Sequence, residues 1–136
     1  MSTITEDWVS YNFAVLRVVP HVHTGAFIPV GVVLHARTTE FIGARVITDP
    51  AELQSRVSDA DIELLSRYLK SCEAISAGEI AAGPMALAPP SERFHWLTAP
   101  RSDVIQAGPV HEGLCKDPGD MLDTLFAELV SPSERS

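Results

Sequence analysis

Residues 11–48, YNFAVLRVVPHVHTGAFIPVGVVLHARTTEFIGARVIT, decide how this chain folds. YNFAVLRVV is β-branched and aromatic and stops at Pro20, which predicts a strand with both faces largely buried. After the polar turn HVHTG, FIPVGVVLHA predicts a second strand over 27–36. Within it Pro29 argues for an edge, a bulge or a late strand start, and Gly31 for a bend or a close approach of backbones. The Arg37-Thr38-Thr39 turn leads to a third strand, EFIGARVIT, over 40–48. The links are short, and parallel neighbours need a crossover of about a dozen residues or more, so the three strands are expected to form an antiparallel meander.

Outward from this stretch the hydrophobic period changes. Asp49 followed by Pro50 is a helix start with proline at the first position, and AELQSRV completes a short helix. Beyond Ser58 and Asp61, the side chains of Ile62, Leu65, Leu69 and Cys72 fall on one helical face, with Leu64, Tyr68 and Ile75 beside them, and Gly78 ends the helix. Residues 79–91, EIAAGPMALAPPS, hold too much proline and glycine to continue it and read as an apolar loop. RFHWLTA, 93–99, is expected as the fourth strand, with a fifth beginning near Asp103 in DVIQAG. Between them Pro100-Arg101-Ser102 forms a tight turn, making residues 94–113 a hairpin. Asp117-Pro118 opens a last helix with an apolar stripe of Met121, Leu122, Leu125, Phe126, Leu129 and Val130. The order βββααββα describes an α+β fold, a five-strand antiparallel sheet with the helices gathered on one face. At 136 residues it is expected as a single domain over 1–136, with a core of about 10–130 and frayed termini.

The composition, 46% hydrophobic and 21% charged, is that of an ordinary globular chain. A formal charge of -8 with ten scattered basic residues argues against a nucleic-acid partner. Two cysteines, Cys72 and Cys115, are too few for a disulfide scaffold or a zinc knuckle. No apolar run approaches the roughly 18 residues of a membrane span, and MSTITEDW lacks the pattern of a secretory signal. A cytoplasmic protein with no membrane association and no cofactor is the expectation.

The chemistry-bearing candidates interrupt apolar runs. Arg17 shares a strand face with Val15 and Val19, Arg45 with Gly43 and Ile47, and His35 with Gly31 and Val33, while Arg93 and His95 share one parity of the fourth strand. If they converge on an open sheet face they make a cationic floor for a phosphate or carboxylate. The competing reading is a solvated face on which each arginine needs only an acidic neighbour such as Glu40 or Glu92. Arg101, Ser102, Asp103, His111 and Glu112 are concentrated at the hairpin. Ser102 and His111 have the chemistry of a nucleophile and a base, and Arg101 with His111 that of an anion clamp. No G-x-S-x-G, G-x-x-x-x-G-K or H-E-x-x-H motif accompanies them. His21-Val22-His23 is too sparse for a metal site, which needs three or four ligands.

Taken together, YNFAVLRVVP, GAFIPVGVVL, FIGARV and RFHWLTAPRSDVIQAGPVHEG resemble a bacterial family known as domain of unknown function 3037, over about residues 10–130. The resemblance carries Arg17, Gly31, Gly43, Arg45, Trp96, Pro100, Arg101, Ser102, Gln106, His111 and Gly113 as positions that match the family pattern. Ala26 and Pro29 depart from it, where relatives often have an acidic residue and an asparagine. His21 and His23 fall where the family has no fixed histidines. The resemblance also implies a kinase-like protein partner.

The sequence thus predicts a binding or accessory module whose contact surface is the 94–113 hairpin. Its ligand-binding residues are Arg17, Arg45, His95, Arg101, Ser102, Gln106 and His111, and its partner is an anionic small molecule or a protein. The alternative is a small enzyme acting on a phosphorylated or acylated substrate, with His111 as acid or base, Arg101 stabilising negative charge and Ser102 as nucleophile. A third reading makes Phe94, Trp96 and the loop 84–90 a homodimer or hetero-complex surface.

Overall fold

β1 (Val9–Val18) is the axis of the sheet. Along one edge it pairs antiparallel with β2 (Ile28–Ala36), which pairs antiparallel with β3 (Phe41–Val46), so the opening segment forms the expected meander. The other edge carries β4 (Ile105–Ala107) opposite Leu16 to Val18 and β5 (His111–Cys115) opposite Val9 to Phe13. Between these two stretches the pairing offset changes by one residue, and the Gly108 N–H donates to the Val15 carbonyl at 2.8 Å. β4 and β5 therefore run as one strand with a bulge at 108–110, where Pro109 removes no ladder hydrogen bond. The structure is a computed structural model that describes residues 8–19, 27–57, 61–99 and 105–130.

The two anomalies of the second strand have separate causes. Leu16 pairs with Gly31 and Arg17 with Pro29, so Val30 is an extra residue in β2 and Pro29 flanks a bulge. At Gly31 the chains lie so close that an added Cβ would stand 2.6 Å from Val46 Cγ1.

Among the described residues there are four helices, three of them at expected starts and three of them after Asp-Pro or Pro-Pro. They are α1 (Pro50–Arg56), α2 (Ile62–Ala77), α3 (Pro90–Thr98) and α4 (Pro118–Leu129). The carboxylates of Asp49, Asp61 and Asp117 accept from the N–H groups of Ala51, Leu64 and Asp120, satisfying donors that the first helical turn leaves free. Gly78 closes α2 at φ 78°, a left-handed conformation that glycine adopts without penalty.

The α+β class and the five-strand antiparallel sheet stand as expected, but one strand is exchanged. RFHWLTA is not a strand: residues 90–98 form α3. Pro90 occupies its first turn, and Phe94 and Leu97, three apart, turn one helical face onto the core, Leu97 to full burial. The alternation of Arg93 and His95 was too short to carry a period. The missing strand is β5, HEGLC, whose charges and glycine resemble a loop; pairing with β1 makes it extended. The described parts of 94–113 are accordingly the end of a helix and a bulged strand, not two hairpin strands, and the expected turn at Pro100-Arg101-Ser102 lies outside the described residues.

Nor do the helices gather on one face. His35 and Leu34 are neighbours on β2 and point to opposite sides. The His35 ring stacks on Phe94 of α3 at 5.5 Å between centroids. On the other side Gly43, the cross-strand partner of Leu34, lies beneath Leu122 of α4, whose Cδ2 would come within 2.9 Å of an added Cβ. β2 is consequently buried at every residue from Val30 to Ala36, because both of its faces carry side chains that need cover. α2 lies against the outer strand, where Ser76 Oγ accepts the Ala44 N–H at 3.1 Å. Among the described residues no helix is long and apolar enough to cross a membrane.

Burial of His35, with the Arg37 charge adding to it, holds the imidazole below its usual value of 6.5. The folded form takes up its proton only at a lower pH than the unfolded chain, which does so around pH 6.5. This contribution to stability is therefore fully present above that pH and is lost as the pH falls toward the lower folded value. Melting curves between about pH 7.5 and 5 should show the loss in the wild type and a flatter profile in His35→Phe. Equal slopes would mean that His35 is not the titrating group.

Candidate functional site

On the face that carries α4, the helix covers β2 and β3 and leaves the β1 side open. A groove of about 250 Å³ lies there. Its floor is Val15 and Arg17 of β1, one rim is Pro29 with Phe27, and the other is the 108–110 bulge continuing to His111. Leu129, at the end of α4, closes one side. Two of the sequence candidates thus meet. Arg17 comes from the strand interior, and His111 starts the strand that pairs with β1 on its far edge, opposite Phe13, to whose ring its imidazole lies 5.2 Å away.

Arg17 is held, and among the described residues it meets no carboxylate. Its guanidinium carbon stands 3.9 Å above the Phe27 ring, a cation–π contact. Its Nη1 would lie 3.4 Å from a Cβ at Gly108, so the glycine leaves the space the side chain occupies. Nε is buried and has no hydrogen-bond partner, and it is the buried side-chain polar atom in that state among the described residues. Such a donor costs about 1–3 kcal/mol, a debt that a core would not keep without reason. Gln106 pairs across the strands with Arg17 and is exposed, which adds an amide on the same face.

The other candidates do not join them. Arg45 shares the face of Arg17, but its Nη1 donates to Asp123 Oδ1 at 2.6 Å and its guanidinium lies 4.9 Å from the Phe126 ring. It therefore fastens α4 to β3. The cross-strand row Arg45, Val32, Val15 puts it two strands from the groove floor, roughly 10 Å. His95 is exposed on α3, on the opposite side of the sheet. Arg93 spends its guanidinium on backbone carbonyls. Arg101 and Ser102 lie outside the described residues, as do His21 and His23. Phe94 and Trp96 are partly buried against the core of their own chain.

Among the described residues no group of three or more histidine, cysteine or acidic side chains is placed to hold a metal ion. Both thiols are buried. Burial pushes the Cys72 thiol up to about 11, against a lowering hydrogen bond from Tyr68, and burial also raises Cys115. Since the thiolate is the reactive form, the native protein is expected to resist iodoacetamide at pH about 8 and to label fully in urea. Rapid native labelling would contradict this burial.

The sequence reading missed the groove walls: Phe27 and Pro29 were read only as strand residues, Leu129 only as a helix residue, and Pro109 was not singled out. Apolar walls carry no pattern of their own. The usable signal was topological, because a meander that pairs Arg17 with Pro29 brings Phe27 to the same end of the sheet.

No curated protein and no solved structure matches the chain. The pattern of the family described as "Protein of unknown function (DUF3037)" matches residues 13–130, a span that includes all five strands apart from the first residues of β1, all four helices and the whole groove. On that coverage the chain belongs to the DUF3037 family.

Proposed function

We propose that this chain is a binding module that takes a small anionic ligand in the groove between β1, the 108–110 bulge and the end of α4. Arg17 is its charged contact, and His111 and Gln106 lie beside it. The observation that carries the reading is the buried Arg17 Nε with no acceptor, in the same groove as His111. Arg45 supports the contrast, since its charge is already answered by Asp123. In a chain of overall charge -8, an arginine that meets no carboxylate among the described residues supplies local positive charge for an anion.

The enzyme reading rests on Arg101 and Ser102, outside the described residues. Among the described residues that line the groove, none is a hydroxyl, thiol or carboxylate positioned beside His111.

A thermal-shift panel of carboxylates, phosphates and nucleotides tests the proposal, run on the wild type, Arg17→Gln and His111→Asn. A ligand at a hundred times its Kd adds about 2.7 kcal/mol of stability, read as an upward shift of roughly 10 °C for a domain of this size. The shift should shrink sharply in Arg17→Gln. An equal shift in that variant, or none with any anion, would contradict the proposal.

A further inference from the structure

The groove that holds Arg17 is poor in the donors a phosphate needs. Phosphate sites gather backbone N–H groups, at a helix N-terminus or a nest of successive amides, because three oxygens and nearly two charges must be met at once. Here Pro29 and Pro109 contribute no N–H at either rim. The Gly108 N–H is committed to the Val15 carbonyl. Val15 and Arg17 lie within the β1 ladders, Arg17 with a cross-strand partner on both sides. What remains is one guanidinium, one imidazole and an exposed amide, facing walls of Phe27, the two prolines, Val15 and Leu129.

We infer that the ligand is a monocarboxylate with an apolar body: the carboxylate meets the Nε–Nη edge of Arg17, and the body lies along Val15, Pro29 and Leu129. This rests on the groove being the ligand site and names the class of ligand it takes. A side-on carboxylate accepts two parallel N–H bonds from one guanidinium edge, one of them from the Nε that has no partner. Phe27 stacks on the guanidinium and is 43% exposed, so a turn of this ring or of the guanidinium uncovers the edge. One negative charge matches one guanidinium, and the apolar walls favour a ligand that leaves no polar groups against them.

Isothermal titration of the full chain with octanoate, acetate, octanol and inorganic phosphate tests the inference. Octanoate should bind at least tenfold more tightly than acetate, octanol and phosphate. Arg17→Gln should lower its affinity at least tenfold. Arg17→Lys, which keeps the charge without the planar edge, should recover only part of it, and circular dichroism should show both variants folded. Phosphate binding as tightly as octanoate, and lost in Arg17→Gln, would overturn the carboxylate assignment and leave the anion-binding reading intact. Octanol matching octanoate would overturn it by showing an apolar groove indifferent to charge. No binding by any probe would overturn the anion-binding reading itself.

Discussion

Gly31→Val is expected to leave little folded protein, with a loss above about 3 kcal/mol, the upper range for overpacking a core. The new Cβ would stand 2.6 Å from Val46 Cγ1 and 3.1 Å from the Arg45 carbonyl oxygen. The first contact is relieved by turning a side chain; the second is backbone of the neighbouring strand. β2 is buried from Val30 to Ala36, with α3 on one side and α4 on the other, so it has nowhere to retreat. Gly43→Ala makes the informative comparison. There the close atoms are the ends of the Leu122 and Phe41 side chains, at 2.9 and 3.0 Å, which shift more cheaply. Urea unfolding followed by circular dichroism should rank wild type, Gly43→Ala and Gly31→Val in falling order of midpoint. A wild-type midpoint for Gly31→Val would refute the close approach of β2 and β3.

The second large effect is expected at Arg93, a residue the sequence offered as a ligand contact. Its Nη1 donates to the carbonyls of Ile75 at 3.2 Å and Ser76 at 2.9 Å, and its Nε to Ala88 at 2.9 Å. The first two are end carbonyls of α2 and carry the negative end of its dipole, and that of Ile75 also accepts the N–H of the cap residue Gly78 at 3.1 Å. The third belongs to the connection that leads into α3. One planar fork thus ties the end of α2 to the start of α3, next to Gly78, where a Cβ would lie 3.5 Å from Nη1. Arg93→Ala should cost about 2–4 kcal/mol, since bonds to charged groups are worth more than neutral ones and the Ser76 and Ala88 carbonyls lose this donor. Lysine at this position should restore only a fraction, because an ammonium cannot span the three acceptors in the same plane. Ligand affinity at the groove, on the other face of the sheet, should be unchanged in folded Arg93→Lys.

How much of this was legible depends on which forces decide each element. The meander was readable because Pro20, the polar turns and the β-branched runs act locally, and Pro29 and Gly31 announced the bulge opposite Leu16 and Arg17 and the close approach of Gly31 to Val46. The starts of α1, α2 and α4 were readable because an aspartate cap, followed by proline in α1 and α4, is a local signal. RFHWLTA and HEGLC were not. The first is rich in aromatics yet starts after two prolines and buries Phe94 and Leu97 on one helical face; the second is extended only because β1 offers an edge with no other occupant among the described residues. Both outcomes are set by tertiary partners rather than by residue preference. At the site, Arg17, Gln106 and His111 were legible as polar residues in apolar surroundings, and their meeting follows from strand pairing. That Arg45 belongs to α4 and not to the groove depends on Asp123, which lies 78 positions along the chain.

The most direct measurement is the proton–nitrogen resonance of the Arg17 Nε–H, assigned by its loss in Arg17→Lys and followed while octanoate is added to the full chain. A site in this groove predicts a saturable downfield shift of that resonance, as the proton gains an acceptor, with accompanying changes at Val15 and His111 and none at Arg45 or Arg93. If the Nε–H signal stays in place while resonances elsewhere saturate, the ligand binds outside the groove and Arg17 is not its contact.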